Sequence, residues 1–356
     1  MQLWNTLSKE ELEEKWREKG YEWVTISFYQ YAKIPNPRLF RDHLYQMWSK
    51  LDVLGRVYVA TEGINAQISV PKHNFEAFRE ATYSVDFLDG IRLNIAVEDG
   101  EVEFPFLKLK IKVRHKILAD GLDDENFDVT NKGKHLTAQE FNELTDDPET
   151  ILIDFRNHYE WEVGHFKGAI TPDVDTFRES LPFIEDEYLK GNEDKNIVMY
   201  CTGGIRCEKA SAWFKHRGFD KVHQLEGGII KYANDCSEKG LDNKFIGKNF
   251  VFDERRGERI SDDVIAVCHQ CGEPADVHTN CANDACHLLF IQCDSCKSKM
   301  ENCCSSECQE VIHLPEEEQR AIRKGKVVSN KIFKKGRSNK LQFKYDLKKP
   351  LTLKKP

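Results

Sequence analysis

Apolar and polar positions along this 356-residue chain recur with two periods, and the switches between them predict its elements. Residues 8–18 read as a short helix, with Ser8 and Glu11 at the spacing of a capping box. "EWVTISFYQYAKI" (22–34) is rich in β-branched and aromatic residues and reads as a strand. In "NPRLFRDHLYQMWSKLDV" the apolar residues Leu39, Phe40, Leu44, Met47 and Leu51 follow a helical period that stops before Gly55. "RVYVA" and "NAQISV" are strands around the turn "TEGI", "HNFEAFREATYSV" is a helix, and "IRLNIAV" and "LKLKIKV" are strands. The order β-α-β-β-α-β plus one strand is the ferredoxin-like split unit, expected over residues 1–115. It dictates no function.

A polar stretch punctuated by Gly and Asp predicts a linker over 116–135. Thr137 then caps a helix. "TILIDFR" and "KNIVMYC" are nearly continuous apolar runs, as in strands buried on both faces of a parallel sheet, with helical patterns between and after them. Residues 136–245 are therefore expected to form an α/β domain. A cysteine-rich module (246–312) and a basic tail (313–356) follow, so the fold class is α/β multidomain.

Composition adds three points. No apolar run approaches the ~18–20 residues of a membrane span, and no apolar stretch lies behind a basic start, so we expect a cytoplasmic protein without membrane contact. The formal charge of −8 hides an asymmetry: residues 320–356 hold fourteen Lys or Arg against Asp346 alone, a net +13 that leaves −21 for the other 319 residues. Such a tail suits a polyanionic partner. Lys331, Lys334, Lys335, Arg337, Lys340 and Lys344, interleaved with Phe333, Phe343 and Tyr345, are the candidate nucleic-acid contacts, with a fold-back onto the acidic body as the alternative. Finally, nine of the twelve cysteines lie between Cys268 and Cys308, and only Cys201, Cys207 and Cys236 lie elsewhere. In a long chain without a signal this points to metal or thiol chemistry.

"YCTGGIRCEKAS" (200–211) is the candidate for thiol chemistry. A parallel strand ending at Tyr200 delivers Cys201 to the carboxyl edge of the sheet, where such folds bind ligands. Thr202, Gly203, Gly204 and Ile205 lead into a helix carrying Arg206 and Cys207. Free backbone N–H groups, the helix start and the Arg206 charge all favour an anion at the loop centre, and Cys201 is placed to become it as thiolate or persulfide. A structural cysteine before a tight turn is the plainer alternative. Cys207 is either a resolving thiol or a small core residue.

"CHQC", "CANDAC", "CDSC" and "CCSSEC" pair soft ligands at spacings that fit tetrahedral zinc. An alternating arrangement would use Cys268, Cys271, Cys293 and Cys296 for one site, and Cys281, Cys286, Cys308 and Cys303 or Cys304 for the other. His269, His278 and His287 could substitute for any of them. An iron–sulfur cluster and metal-free thiols are the alternatives to structural zinc.

"DFRNHYEWEVGHFKGAI" (154–170), "YCTGGIRC" and "LEGGI" (225–229) together resemble the rhodanese, or sulfurtransferase, domain family. Asp154, Arg156, Glu160, Gly164, His165, Gly168 and Ala169 match the first of its segments, and Leu225, Gly227, Gly228 and Ile229 the last. The resemblance implies a Cys201 persulfide during turnover, a loop too short for the phosphate chemistry of related phosphatases, a structural ion pair of Asp154 with Arg156 under the loop, and a mainly structural His165. With "GRVYVATEGINAQISVPKHNFEAF" before it and "HTNCANDACHLLFIQC" after it, the chain from about residue 20 to 312 is similar to the bacterial rhodanese-domain tRNA wobble-uridine hydroxylases. That resemblance implies tRNA rather than DNA as partner, molecular oxygen as co-substrate, 5-hydroxyuridine as product and Cys201 as the required cysteine. The sequence carries no facial-triad iron motif and no flavin or nicotinamide fingerprint, and addition of the Cys201 sulfur to C6 is the expected way to activate C5. A small-acceptor sulfurtransferase and a non-enzymatic, zinc-dependent RNA-binding protein are the alternatives. The extra modules and basic tail count against the first, and the intact loop against the second.

Overall fold

The computed structural model describes residues 7–97, 102–324, 338–339 and 341–343. The chain forms two compact units, one of Met1–Leu152, Lys190–Asn243 and Val251–Glu258, the other of Ile153–Leu189, Lys244–Phe250 and Arg259–Pro356.

The first unit opens with α1 (Lys9–Lys19), whose Ser8–Glu11 capping box forms as expected. β1 (Trp23–Tyr31), α2 (Pro37–Ser49), β2 (Leu54–Ala60), β3 (Gly63–Pro71), α3 (Phe75–Tyr83), β4 (Asn94–Ile95) and β5 (Leu109–Val113) follow, and the sheet order is β4-β1-β3-β2-β5. β5 lies parallel to β2, while the pairs β4–β1, β1–β3 and β3–β2 are antiparallel. Asn36 caps α2, where Pro37 has no N–H to lose. Alternation on β1 separates two faces. Ile26 and Phe28 enter the core, with the Phe28 ring edge-on to Trp48 at 6.1 Å, whereas Ser27, Tyr29 and Tyr31 stand on the other face. On that face the register aligns Ser27, Gln67, Arg56 and Lys110 in one row, and Tyr29, Asn65, Tyr58 and Lys112 in the next.

Two expectations need correction here. "IRLNIAV" yields a strand at Asn94–Ile95 only. Its start is held in a turn: the Ile91 amide donates to the Leu88 carbonyl, and the Ile91 carbonyl accepts from the Tyr83 hydroxyl at 2.9 Å. The stretch read as a polar linker contains Asp120, which is buried and ion-paired.

β6 (Lys134–Leu136), α4 (Ala138–Thr145) and β7 (Ile151–Asp154) come next. The second unit then contributes α5 (His158–Trp161), β8 (Gly164–Phe166) and α6 (Phe177–Ile184). The first unit resumes with β9 (Ile197–Tyr200), α7 (Ile205–His216), β10 (Val222–Leu225) and α8 (Gly228–Lys239). The expected parallel sheet is present in the order β6-β10-β9-β7, with β10 parallel to both β6 and β9. All four residues of β9 are buried, as its apolar run predicts.

β11 (Phe245–Asn249) pairs antiparallel with β8, and β12 (Glu258–Arg259) extends that sheet. The cysteine-rich part of the second unit holds the hairpin of β13 (His278–Asn280) and β14 (Leu289–Ile291), then α9 (Asp294–Met300), α10 (Ser306–Ile312) and α11 (Glu316–Arg323). α11 and the residues after it lie where only a basic tail was expected. Leu341 is buried in a cluster with Cys281, Phe290, Cys303, Cys304 and Cys308, and Phe343 packs over Gly272 and donates its amide to the His269 carbonyl at 2.9 Å. The six Lys and Arg singled out in the tail lie outside the described residues.

Candidate active site

β9 ends at Tyr200, and the backbone turns sharply through Cys201, Thr202, Gly203 and Gly204 before α7 begins at Ile205. Gly204 has φ +101°, a conformation that glycine adopts without strain. The turn aims backbone amides at the Cys201 sulfur: the Gly204 N–H donates at 3.1 Å, and those of Arg206 and Cys207 also point to it. Cys201 is only 1% exposed. Burial pushes its pKa up, but a hydrogen bond from the Cys207 thiol, the Arg206 charge and the two amides outweigh burial and bring it down to about 6. Arg206 is itself buried, with its guanidinium 3.4 Å from the Thr202 hydroxyl.

The "LEGGI" segment clasps this loop from β10. The amides of Ile229 and Ile230 donate to the carbonyls of Cys201 and Thr202 at 3.0 and 3.2 Å. Gly228 has φ +67°, and a Cβ there would sit 2.5 Å from the Cys201 carbonyl oxygen. Only glycine permits this approach.

Several neighbours of the loop escaped sequence reasoning. Tyr29 covers Gly204, with its hydroxyl 2.9 Å from where a Cβ would stand, and the Tyr31 hydroxyl reaches the Ile205 carbonyl at 3.5 Å. Asn94 lies 3.5 Å from the Gly203 carbonyl through its amide nitrogen, while its Oδ1 and the Ser27 Oγ are buried without a hydrogen-bond partner among the described residues. Behind the loop, Glu208 is bonded by Lys132 and, at 2.8 Å, by His135. Burial would raise its pKa, but those two donors hold it below the usual range. The next residue, Lys209, is buried between Asp120 at 2.6 Å and Glu62 at 2.7 Å. Burial, followed by the charge of nearby carboxylates, pushes the pKa of Tyr29 and Tyr31 well up, so both remain phenols. The alternation of "ISFYQY" was a signal for the two tyrosines, but nothing local in the sequence pairs Lys209 with Asp120.

In the second unit Asp154 and Arg156 are both fully buried and form a two-point ion pair, Nε to Oδ1 at 2.9 Å and Nη2 to Oδ2 at 2.6 Å. Arg156 also donates to the Gly164 carbonyl at 2.6 Å and stacks over the Phe245 ring at 5.6 Å. The His165 Nδ1 sits 3.0 Å from the Phe166 carbonyl, and burial lowers its pKa.

The cysteines gather into two groups whose sulfurs lie within 4.8 Å of one another: Cys268, Cys271, Cys293 and Cys296, and Cys281, Cys286, Cys304 and Cys308. Either group could hold a metal ion. Cys304 rather than Cys303 completes the second group, and the three histidines stand outside both. His269 is occupied elsewhere: its Nε2 lies 2.7 Å from Glu162, and its Nδ1 accepts from the Ile291 amide at 3.3 Å. Three sulfur pairs lie 3.7, 3.6 and 3.7 Å apart. Zn–S bonds of about 2.3 Å in a tetrahedron require sulfur–sulfur edges of about 3.8 Å, so the donor sets fit that ion.

Comparison with known proteins agrees with this layout. Residues 23–117 match the family described as UPF0176 acylphosphatase like domain, residues 137–235 the Rhodanese-like domain, and residues 246–309 the Rhodanase C-terminal. A tRNA uridine(34) hydroxylase of Photorhabdus laumondii is 56% identical over 336 residues, 94% of this chain and 95% of that protein. The chain belongs to the tRNA uridine(34) hydroxylase family. The hydroxylase of that name from Salmonella newport is likewise 56% identical over 94% of this chain and 95% of its own. Among solved structures, a rhodanese-like domain protein from Staphylococcus aureus is 23% identical and covers 28% of this chain and 90% of its own, with a TM-score of 0.23. In this chain the rhodanese-like match spans the Cys201 loop and the "LEGGI" clasp, and the acylphosphatase-like match spans Ser27, Tyr29, Tyr31 and Asn94. No helix among the described residues is long and apolar enough to cross a membrane.

Proposed function

We propose that this chain hydroxylates C5 of the wobble uridine of tRNA, using molecular oxygen and Cys201 as its nucleophile. The observation that carries the reading is identity of 56% over 94% of the chain to proteins named for that reaction. The Cys201 loop supports it chemically. A sulfur with a pKa of about 6 is largely thiolate at neutral pH, and addition of a thiolate to C6 of uracil turns C5 into an enolate carbon able to attack oxygen. Net conversion of C5–H to C5–OH takes one atom from O2 and releases the other as water. It consumes two electrons and two protons, which we assign to a thiol reductant that becomes a disulfide. Once C5 is hydroxylated, the C6–S bond breaks and returns Cys201.

Zinc in both cysteine groups is part of the same reading, as a structural ion whose binding contributes folding energy to a short module. Lys331, Lys334, Lys335, Arg337, Lys340 and Lys344 are proposed to reach tRNA phosphates. The substrate is found in the cytoplasm, the compartment we propose for the enzyme.

Nucleoside mass spectrometry of tRNA from a strain lacking the gene, complemented by wild type or Cys201→Ser, tests the reading. Wild type restores 5-hydroxyuridine and Cys201→Ser does not. Restoration by Cys201→Ser would remove the cysteine from the chemistry, and no restoration by wild type would remove the reaction.

A further inference from the structure

The edge of the N-terminal sheet farthest from β4 is strongly basic. β5 and the residues on either side of it place Lys108, Lys110, Lys112 and Arg114 within seven residues. No carboxylate partner of Lys110, Lys112 or Arg114 is present among the described residues. Crowding by Lys112, reinforced by burial and Lys108, lowers the Lys110 pKa, so this edge repels its own charge. A cluster of one sign of charge creates a potential that attracts an anion. Alongside lies an open cleft of about 460 Å³, lined by Arg38 and Arg41 of α2 and by Ile111, Lys112, Val113 and Arg114. Two aromatic features accompany the charge: the half-buried Tyr58 ring adjoins Lys112 across the strands, and the Arg114 guanidinium lies 5.6 Å over it.

Register ties this edge to the Cys201 loop. The row that ends at Lys112 runs back through Tyr58 and Asn65 to Tyr29, which covers Gly204, and the row that ends at Lys110 runs back to Ser27. Three strand spacings of about 4.8 Å separate β1 from β5, about 14 Å in all, and single-strand stacking advances about 3.4 Å per nucleotide. A chain of about four nucleotides spans that distance. The middle of the face is already occupied, since Asn65 donates to the Ile117 carbonyl and Arg56 to the Phe252 carbonyl. The open grip is therefore at the edge.

From these positions we infer that the β5 edge, with Lys110, Lys112, Arg114 and Tyr58, is a clamp for the single-stranded anticodon loop of tRNA. The three cations hold phosphates of nucleotides flanking the reacting one, and Tyr58 stacks on an unpaired base. This rests on the proposed function for the identity of the RNA, while the charge and the register come from the fold. An acidic protein would meet the cations equally well but would leave the aromatic ring without use, so RNA is the better fit.

Filter binding of the full chain to an unmodified tRNA transcript with U at the wobble position, across a series of about 50–200 mM salt, tests the clamp. Each phosphate contact contributes about 0.7–0.9 to the slope of log affinity against log salt. The variant Lys110→Gln/Lys112→Gln/Arg114→Gln is expected to lower the slope by about 2–3, and to weaken binding at least about tenfold at the lowest salt. Lys110→Arg/Lys112→Arg/Arg114→Lys keeps the slope. Tyr58→Leu weakens binding about tenfold with the slope unchanged. A wild-type slope and affinity in the glutamine variant, with a wild-type melting curve, would overturn the clamp. Hydroxylation by the wild-type preparation is read in parallel. Its absence sinks the proposed function, whereas the slopes judge the clamp in either case.

Discussion

The Gly204 amide donates to the Cys201 sulfur at 3.1 Å. Gly204 can aim its N–H there because its φ of +101° turns the peptide inward at the first residue of the helix cap. This bond acts with the amides and side chains of Arg206 and Cys207 to favour the thiolate over the buried thiol. Alkylation by iodoacetamide should therefore rise with pH through a midpoint of about 6 and fall away below it, because acid returns the unreactive thiol. Arg206→Ala removes the positive charge and should move the midpoint up by a unit or more. A wild-type midpoint in the ordinary cysteine range of about 8.5 would contradict the described loop.

Cys207 is fully buried and donates to the Cys201 sulfur. Cys207→Ala should slow hydroxylation several-fold without abolishing it, and should raise the midpoint of Cys201 alkylation. Complete inactivation with an unchanged melting curve would give Cys207 a covalent role, such as resolving a persulfide.

Protein purified under reducing conditions should carry two zinc ions per chain, one for each group of four cysteines. Cys304→Ser should lose one of them, whereas Cys303→Ser should keep both, because Cys303 stands outside the second group. Elemental analysis of the two variants decides it. Chelation should unfold the cysteine module, and with it the packing of Leu341 on Cys304 and Cys308.

The buried pair of Lys209 and Asp120 ties the stretch after β5 to α7. Breaking a buried pair costs about 3–5 kcal/mol. Asp120→Asn leaves Lys209 with Glu62 alone, so it should lower stability by about 3 kcal/mol, the low end of that range, in urea unfolding. Burial works against the Asp120 carboxylate, but Lys116 and Lys209 hold its pKa below 3.8. The stabilisation is therefore complete above the unfolded value and is lost as pH falls through the lower folded one. The gap between wild type and variant should narrow in acid. An equal gap at pH 3 and pH 7 would show that packing, not charge, carries the effect.

The Cys201 loop and the metal groups were legible because their chemistry is local: a thiol between an apolar strand and two glycines, and cysteines paired at short spacings. The ferredoxin-like order was legible because its strands and helices, β4 apart, announce their period. Lys209, Glu208, Asp120 and Asn94 were not legible. Each is an ordinary polar residue whose meaning comes from a partner brought close by tertiary packing: 89 residues separate Lys209 from Asp120, and 109 separate Asn94 from Gly203. α11 was overlooked for another reason. Reading the tail by its cations from residue 320 onward left out the acids Glu316, Glu317 and Glu318 of the first turn, which with the bases Arg320 and Arg323 of the last give an order that suits the helix dipole.

A sulfur that is 1% exposed and ionised near pH 6 has a chemical cost to avoid. Thiolates open to solvent climb through sulfenic to sulfinic acid, and the last step is not reversed by ordinary thiols. Under the use of oxygen that we propose, that corrosion threatens in every idle moment. The cover formed by Tyr29 and the glycine clasp is thus a seal as well as a scaffold. It implies that peroxide inactivates the resting enzyme more slowly than its low pKa alone would dictate, and that loosening the seal, as Tyr29→Ala would, shortens the enzyme's working life before it changes the reaction.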